Sequence, residues 1–296
     1  MLDVDENTLT EIVVARHADA DNPRLKQIMT SLVRHLHGFA REVGLTEDEW
    51  FEGIRFLTEV GEMTDDKRQE FILLSDTLGL SMLVTAMNNR KPRGCTESTV
   101  FGPFFVEHAP EYQCGDDVAH GAKGEPCFVS GRVTALDGTP VAGALIDVWQ
   151  ADSDGFYDVQ YRDQEAAHAR GRLRSLPDGS FHFRSVRAES YPIPYDGPVG
   201  RMLEALGRHP WRPAHLHFMI EAPGYDRLIT HVFRSGDQYL DSDAVFGVRP
   251  SLIANWQQHE QGIAPDGTAM DVPFSTLDFT FVLNRSDGEE RERRST

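Results

Sequence analysis

The chain has little that would tie it to a secreted scaffold, a membrane or a nucleic acid. Only three cysteines occur in 296 residues, Cys95, Cys114 and Cys127, and no two form a CxxC pair. That is too few for a disulfide framework and the wrong spacing for a thiolate zinc site. Basic residues are scarce: 29 Lys and Arg face 47 Asp and Glu, a formal charge of −18. Affinity for a phosphate backbone or an anionic lipid surface rests on clustered cations. The densest cluster here, Arg90-Lys91-Pro92-Arg93, is short and not interleaved with aromatics, so nucleic acid is excluded as a partner. Long apolar runs are missing too, which leaves no membrane span. The acidic N-terminus lacks the basic-then-apolar order of a secretory signal. The expected location is the cytoplasm.

What is present is an ordinary globular composition of a length that suits one or two domains. The first ninety residues follow a helical period. Leu25, Ile28, Met29, Leu32, Val33, Leu36, Phe39 and Ala40 form one apolar stripe. Thr46-Glu47-Asp48-Glu49 has capping-box form ahead of Trp50, Phe51, Ile54 and Leu57. Thr64-Asp65-Asp66 is expected to open a third helix carrying Phe71, Ile72, Leu74, Leu78, Met82 and Val84. Asn88 to Gly94 ends that pattern and reads as a linker.

After the linker the period becomes two. Runs at 126–135, 142–151, 180–186, 216–222, 227–234 and 274–283 are short and rich in β-branched or aromatic residues. Asp137-Gly138, Pro177-Asp178-Gly179, Pro223-Gly224 and Asp266-Gly267 separate them as turns. The pattern predicts an antiparallel sandwich of about 200 residues behind a helical region.

The sharpest chemical feature is Arg212-Pro213-Ala214-His215-Leu216-His217-Phe218. On a strand, His215 and His217 point to the same face with Cα atoms roughly 7 Å apart, close enough to share one metal ion. The same spacing at His35 and His37 falls in a helix, where a two-residue step sends side chains to nearly opposite sides. No HExxH motif, and no cysteine near the pair, completes a zinc site. Oxygen donors are therefore sought elsewhere, and Tyr157 and Tyr191 are candidates. Tyr191 sits in a stretch held extended by Pro192 and Pro194. A phenol with a pKa near 10 ionises against a strongly polarising cation, and phenolate suits ferric iron better than Zn²⁺ or Mg²⁺. Taken residue by residue, Tyr157 reads as a core aromatic, Tyr191 as packing beside its prolines and Tyr195 as a turn residue.

Four segments stand in order: TVFGPFF at 99–105, GFYD at 155–158, YPIPYDGPVGRML at 191–203 and the helix-like ALGRHPWRPAHLHF at 205–218. Together they resemble the intradiol ring-cleaving dioxygenases of the catechol type, and among them the hydroxyquinol-cleaving members most. The resemblance extends over nearly the whole chain. It implies an α+β fold, with a helical dimerisation domain over 1–93 followed by an antiparallel β-sandwich catalytic domain over 94–296. It implies one Fe(III) per subunit, held by Tyr157, Tyr191, His215 and His217, with Tyr191 the ligand that leaves the metal and takes a diol proton. Arg212 matches the arginine that supports negative charge, and a guanidinium stays cationic at any working pH. Where the family often carries glutamine this chain has His231, for which positioning, proton transfer and plain packing all stay open.

The substrate contacts implied are Leu73, Asp76, Val100, Phe101, Gly102, Pro103, Phe104, Ile193, Pro194 and Val245. A buried Asp76 needs a hydrogen-bond partner, which the third hydroxyl of hydroxyquinol would supply. The implied reaction joins an aromatic diol or triol with O₂ to give maleylacetate from hydroxyquinol; cleavage of catechol or chlorocatechol to a muconate is the alternative. A homodimer through the helical domain, with a lipid at its interface, is implied as well. A reading of another class comes from 129–149 and 178–186, which resemble prealbumin-like sandwich modules that bind sugars or space domains. Such a module has about 100 residues and needs neither RPAHLHF nor a helical third.

Overall fold

The computed structural model describes residues 4–65, 68–161 and 167–286. Two compact units divide the chain, Met1–Glu59 and Val60–Thr296, while the change from helix to strand falls after the linker, as its composition predicts. Helices α1 (Leu9–Ala15), α2 (Pro23–Val43) and α3 (Glu47–Met63) come first. Asn22 caps α2 by accepting from the Leu25 N–H at 3.0 Å, and Gly44, at φ 61°, ends it. The capping box ahead of α3 is formed: Thr46 N–H donates to Glu49 Oε2 at 2.9 Å, and Glu49 N–H to Thr46 Oγ1 at 3.3 Å. Within the first unit α1 is tied to α2 by Thr10 and His37, 3.0 Å apart. The apolar stripe of α2 is present but no residue of that helix is buried.

The third helical stretch differs from expectation. It starts at Glu70, not at Thr64, and is split into α4 (Glu70–Thr77) and α5 (Leu80–Asn88), bent by 78°. Gly79 between them takes φ 75°, which only glycine adopts without strain. Asp66, expected in the first turn, lies outside the described residues. No single helix among the described residues is long and apolar enough to cross a membrane.

The strands follow as β1 (Pro126–Ala135), β2 (Leu145–Trp149), β3 (Arg170–Arg174), β4 (Ser180–Val186) and β5 (Tyr191–Pro192). After α6 (Pro198–Ala205) come β6 (Trp211–Arg212), β7 (His215–Glu221) and β8 (Leu228–Arg234). The last are β9 (Ile253–Ala254), β10 (Trp256–His259), β11 (Gly262–Ile263), β12 (Ala269–Met270) and β13 (Phe274–Leu283). One sheet runs β10-β13-β1-β4 and the other β3-β2-β7-β8-β9. Neighbours are mostly antiparallel, with β1–β13 and β8–β9 parallel. Their inner faces bury Val133, Ile146, Phe181, Phe218 and Phe281, giving the sandwich core. The segment at 205–218 is not helical as its pattern reads. The helix stops at Ala205, Gly207 takes φ 65°, and Pro210 and Pro213 cannot continue a helical ladder. The chain instead enters β6 and β7. The tail at 287–296 lies outside the described residues.

Candidate metal centre

The centre is built on the face of the five-stranded sheet turned away from the core. Along β7, Leu216, Phe218 and Ile220 enter the core, so alternation sends His215 and His217 to the opposite face. Their Nε2 atoms come within 3.2 Å. Tyr157, in the loop after β2, brings its hydroxyl 2.7 Å from His217 Nε2 and 3.0 Å from the Tyr191 hydroxyl. Tyr191 opens β5, whose pairing with β6 places it opposite Arg212. All four side chains are buried. His35 and His37 lie elsewhere on α2, bonded to Ser31 and Thr10, and Tyr195 is exposed.

The electrostatics suit a cation. His215 Nδ1 donates to the Pro213 carbonyl at 2.7 Å, which leaves a lone pair on Nε2. Burial pushes this imidazole down to about 3, and the Arg212 cation adds to the effect. Burial also drives His217 well below its ordinary value, with His231 and His215 contributing. Neutral imidazole is the metal-binding form. Burial raises the Tyr157 phenol well above 10, with Tyr191 beside it acting in the same direction, so ionising it calls for a positive partner. Donor atoms 2.7–3.2 Å apart match adjacent positions around one ion with bonds of about 2.1 Å. These two imidazoles and two phenols fit a metal. His231, on β8, brings a third imidazole, and one ring nitrogen from each of the three histidines lies within 4.8 Å of the other two.

The other expected residues gather around this centre to differing degrees. Arg212 is buried, with Nη1 3.3 Å from His215 Nε2. Burial opposes its charge, but Asp243 and the two tyrosines outweigh that and raise its pKa. Phe104 stacks on Tyr157 with ring centroids 4.5 Å apart, and Phe101 meets Trp149 edge-on. Gly102 lies so close that a Cβ there would sit 3.3 Å from His217 Cε1. Val100, Ile193 and Val245 are buried, Pro194 is half-buried and Pro103 is exposed. Leu73 and Asp76 are both buried on α4, three residues apart. Burial raises the Asp76 carboxyl; a hydrogen bond from Ser81 and the Arg212 charge pull it back.

Three supporting residues carry no signal in the sequence. Asp243 clamps Arg212 from 31 positions away. Trp149, opposite His217 in the β2–β7 ladder, stacks on that imidazole at 4.7 Å. Arg170 grips Asp158, next to Tyr157, through two bonds of 2.9 and 2.6 Å, and also donates to the Phe104 carbonyl at 2.7 Å. Each pairing depends on strand register or on a loop returning from far along the chain. Asp158, inside GFYD, and Trp149, at the end of the run 129–149, stood within segments the sequence singles out, but neither pairing is written there.

A family model described as a dioxygenase matches residues 100–285, and one described as the catechol dioxygenase N terminus matches residues 22–96. The chain is 66% identical to the 6-chlorohydroxyquinol 1,2-dioxygenase of Cupriavidus pinatubonensis, over 96% of this chain and 99% of the relative. The solved structure of hydroxyquinol 1,2-dioxygenase from Pseudomonas putida matches with a TM-score of 0.89 and 51% identity, covering 95% of this chain and 99% of that one. The catechol 1,2-dioxygenase structure from Pseudomonas arvilla reaches a TM-score of 0.83 at 28% identity, covering 96% of this chain and 93% of that one.

Proposed function

The chain belongs to the intradiol ring-cleavage dioxygenase family, and from that premise we propose that it opens the ring of hydroxyquinol with O₂. The product is 3-hydroxy-cis,cis-muconate, the enol form of maleylacetate, and it carries both oxygen atoms of O₂. The observation that carries this reading is the convergence of Tyr157, Tyr191, His215 and His217 on one buried point. Hydroxyquinol is favoured over catechol by the 66% and 51% identities to relatives named for hydroxyquinols, against 28% for the catechol enzyme.

In this reading the cofactor is one Fe(III) per chain, held by Tyr157, Tyr191, His215 and His217. Bound there, it would draw charge from an ionised diol and allow O₂ to add to the ring. The protein does the rest. Tyr191 Oη takes one diol proton as the substrate ionises. Arg212, kept cationic by Asp243, stabilises the negative charge that develops near the ring. Phe104 stacked on Tyr157 and Trp149 stacked on His217, with the partly exposed Phe101 edge-on to Trp149, form an aromatic wall beside the centre. Asp76 accepts a hydrogen bond from the third hydroxyl, and Leu73, Val100, Gly102, Pro103, Ile193, Pro194 and Val245 shape the remaining pocket. The test is a visible spectrum of the iron-loaded protein before and after anaerobic addition of hydroxyquinol or catechol. A tyrosinate-to-metal band that shifts at lower hydroxyquinol than catechol concentration supports the reading. A colourless protein that binds no iron overturns it.

The helical region 1–93 is read as a dimerisation element ahead of the catalytic region 94–296. Leu25, Ile28, Leu32, Leu36 and Phe39 on α2 are each about half exposed, an apolar stripe that a second copy and an amphipathic lipid would cover. A cytoplasmic location goes with this assignment. Light scattering for mass and solvent extraction for lipid test the first two, and a monomer without lipid overturns them.

A further inference from the structure

Thr99 and His231 form a buried contact next to the centre. His231 lies opposite His217 in the β7–β8 ladder and is fully buried. Its ring centroid is 4.2 Å from that of His217 and 4.8 Å from that of His215. Three imidazoles so close could be taken for three ligands of one ion. The hydrogen bonding points elsewhere. His231 Nδ1 meets the Thr99 hydroxyl at 2.8 Å, and His231 Nε2 is buried with no partner among the described residues. To act as a ligand through Nε2, the ring would carry its hydrogen on Nδ1 and donate it to Thr99. The buried Thr99 hydroxyl would then have no acceptor for its own hydrogen, since Nδ1 is its one contact among the described residues. An unmade buried hydrogen bond is costly. When the hydroxyl donates to Nδ1 instead, both groups are satisfied and the hydrogen sits on Nε2.

We propose that Thr99 fixes His231 in the Nε2–H form, making the third imidazole a hydrogen-bond donor to an anionic oxygen of the ring substrate and not a metal ligand. The proposal rests on the dioxygenase reading above. Thr99 is the positioning residue, and its own N–H donates to the Ile229 carbonyl at 3.0 Å. The segment that carries Val100 to Phe104 therefore also sets the tautomer. A glutamine at 231 would offer an amide N–H in place of the ring N–H; leucine would offer none.

The experiment compares Thr99→Ser, Thr99→Val, His231→Gln and His231→Leu for iron per chain, for the diol-shifted visible band and for kcat and KM. All four variants should hold iron at the wild-type ratio. His231→Leu should lose about 10- to 100-fold in kcat, the range of a lost hydrogen bond to a charged group. His231→Gln and Thr99→Ser should stay within about threefold of wild type, and Thr99→Val should fall between about 3- and 10-fold. Iron lost in both His231 variants would make His231 a ligand and overturn the proposal. Wild-type kinetics in His231→Leu or in Thr99→Val would overturn it as well. If His231→Leu does not fold, the pair at Thr99 decides: valine matches threonine in volume but lacks the hydroxyl, and serine keeps the hydroxyl but lacks the methyl. Nitrogen-detected NMR of the full chain without iron reads the tautomer directly: Nε2–H in wild type but not in Thr99→Val supports the assignment, and Nδ1–H in wild type overturns it. Failure of wild type to bind iron would sink the dioxygenase reading while leaving this tautomer measurement valid.

Discussion

Arg212 and Asp243 are locked as a buried fork, with Nε to Oδ1 at 3.0 Å and Nη2 to Oδ2 at 3.3 Å. Asp243 also accepts the Gly247 N–H at 2.8 Å, so the carboxylate is fixed before it orients the guanidinium. Asp243→Asn would strand a buried cation. It should lower stability by about 3–5 kcal/mol and reduce kcat/KM for the diol. The pH dependence has a definite sign. Burial alone would raise this carboxyl, but Arg212 outweighs it and holds the group below its ordinary 3.8. The pair therefore contributes fully above the unfolded value and loses its contribution as pH falls through the folded one. In urea melts, the gap between wild type and Asp243→Asn should be constant near neutrality and shrink below about pH 4. A gap of equal size at pH 3 and 7 would assign the loss to something other than this pair.

Tyr157→Phe should remove both iron and visible absorption. The phenol is fully buried and touches His217 Nε2 and the Tyr191 hydroxyl, so its loss leaves a gap in the donor set and no substitute oxygen. Partners that merely orient a ligand cost about 10–100-fold in metal affinity when lost, and a ligand should cost more. Iron content by elemental analysis checks this, with His35→Ala as the control that keeps full loading. Retention of iron and colour in Tyr157→Phe would take that residue out of the centre.

Much of the architecture is legible because strand alternation is a local property. The runs at 126–135, 180–186 and 274–283 coincide with β1, β4 and β13, since each is bounded by turn residues and buries one face. Period two also places His215 and His217 on one face without knowledge of any partner strand. The break at Gly79 was not legible, because glycine in an apolar helical pattern is compatible with continuation until tertiary packing selects φ > 0. Arg212 with Asp243, and Thr99 with His231, are separated by 31 and 132 positions. Those contacts are set by the register of β7 against β8 and by loop return, neither of which is written in a local pattern. The spacer-module reading of 129–149 and 178–186 arose because those segments carry the sandwich core alone; the residues of the metal centre lie outside them, apart from Trp149.

Gly102→Ala separates backbone strain from damage to the centre. Gly102 adopts φ 77°, and a Cβ would lie 3.3 Å from His217 Cε1. Gly138 adopts a similar φ of 83° with nothing within 4 Å of its Cβ position. Both alanine variants should lose about 1–2 kcal/mol through the left-handed backbone. Only Gly102→Ala should also shift the tyrosinate band or lower iron affinity, because only there does the methyl press on a proposed ligand. Identical spectra in the two variants would show that His217 tolerates the methyl and that the glycine serves the turn alone.

Asp76→Ala tests substrate choice. Asp76 is 6% exposed and its carboxyl is raised by burial, with Ser81 and Arg212 only partly offsetting that. A buried carboxyl gains from each further donor, and a ring bearing a third hydroxyl supplies one where catechol does not. Removing the carboxyl should therefore lower kcat/KM for hydroxyquinol by about 10- to 100-fold, the range of a hydrogen bond to a charged group. Catechol should stay within about threefold or improve, since a site built to pair with a hydroxyl discriminates against the ring that lacks one. The ratio of the two kcat/KM values is the deciding quantity, because a general loss of folding or iron lowers both equally. An unchanged ratio would remove Asp76 from substrate recognition and move the source of hydroxyquinol preference to the aromatic wall of Phe101 and Phe104.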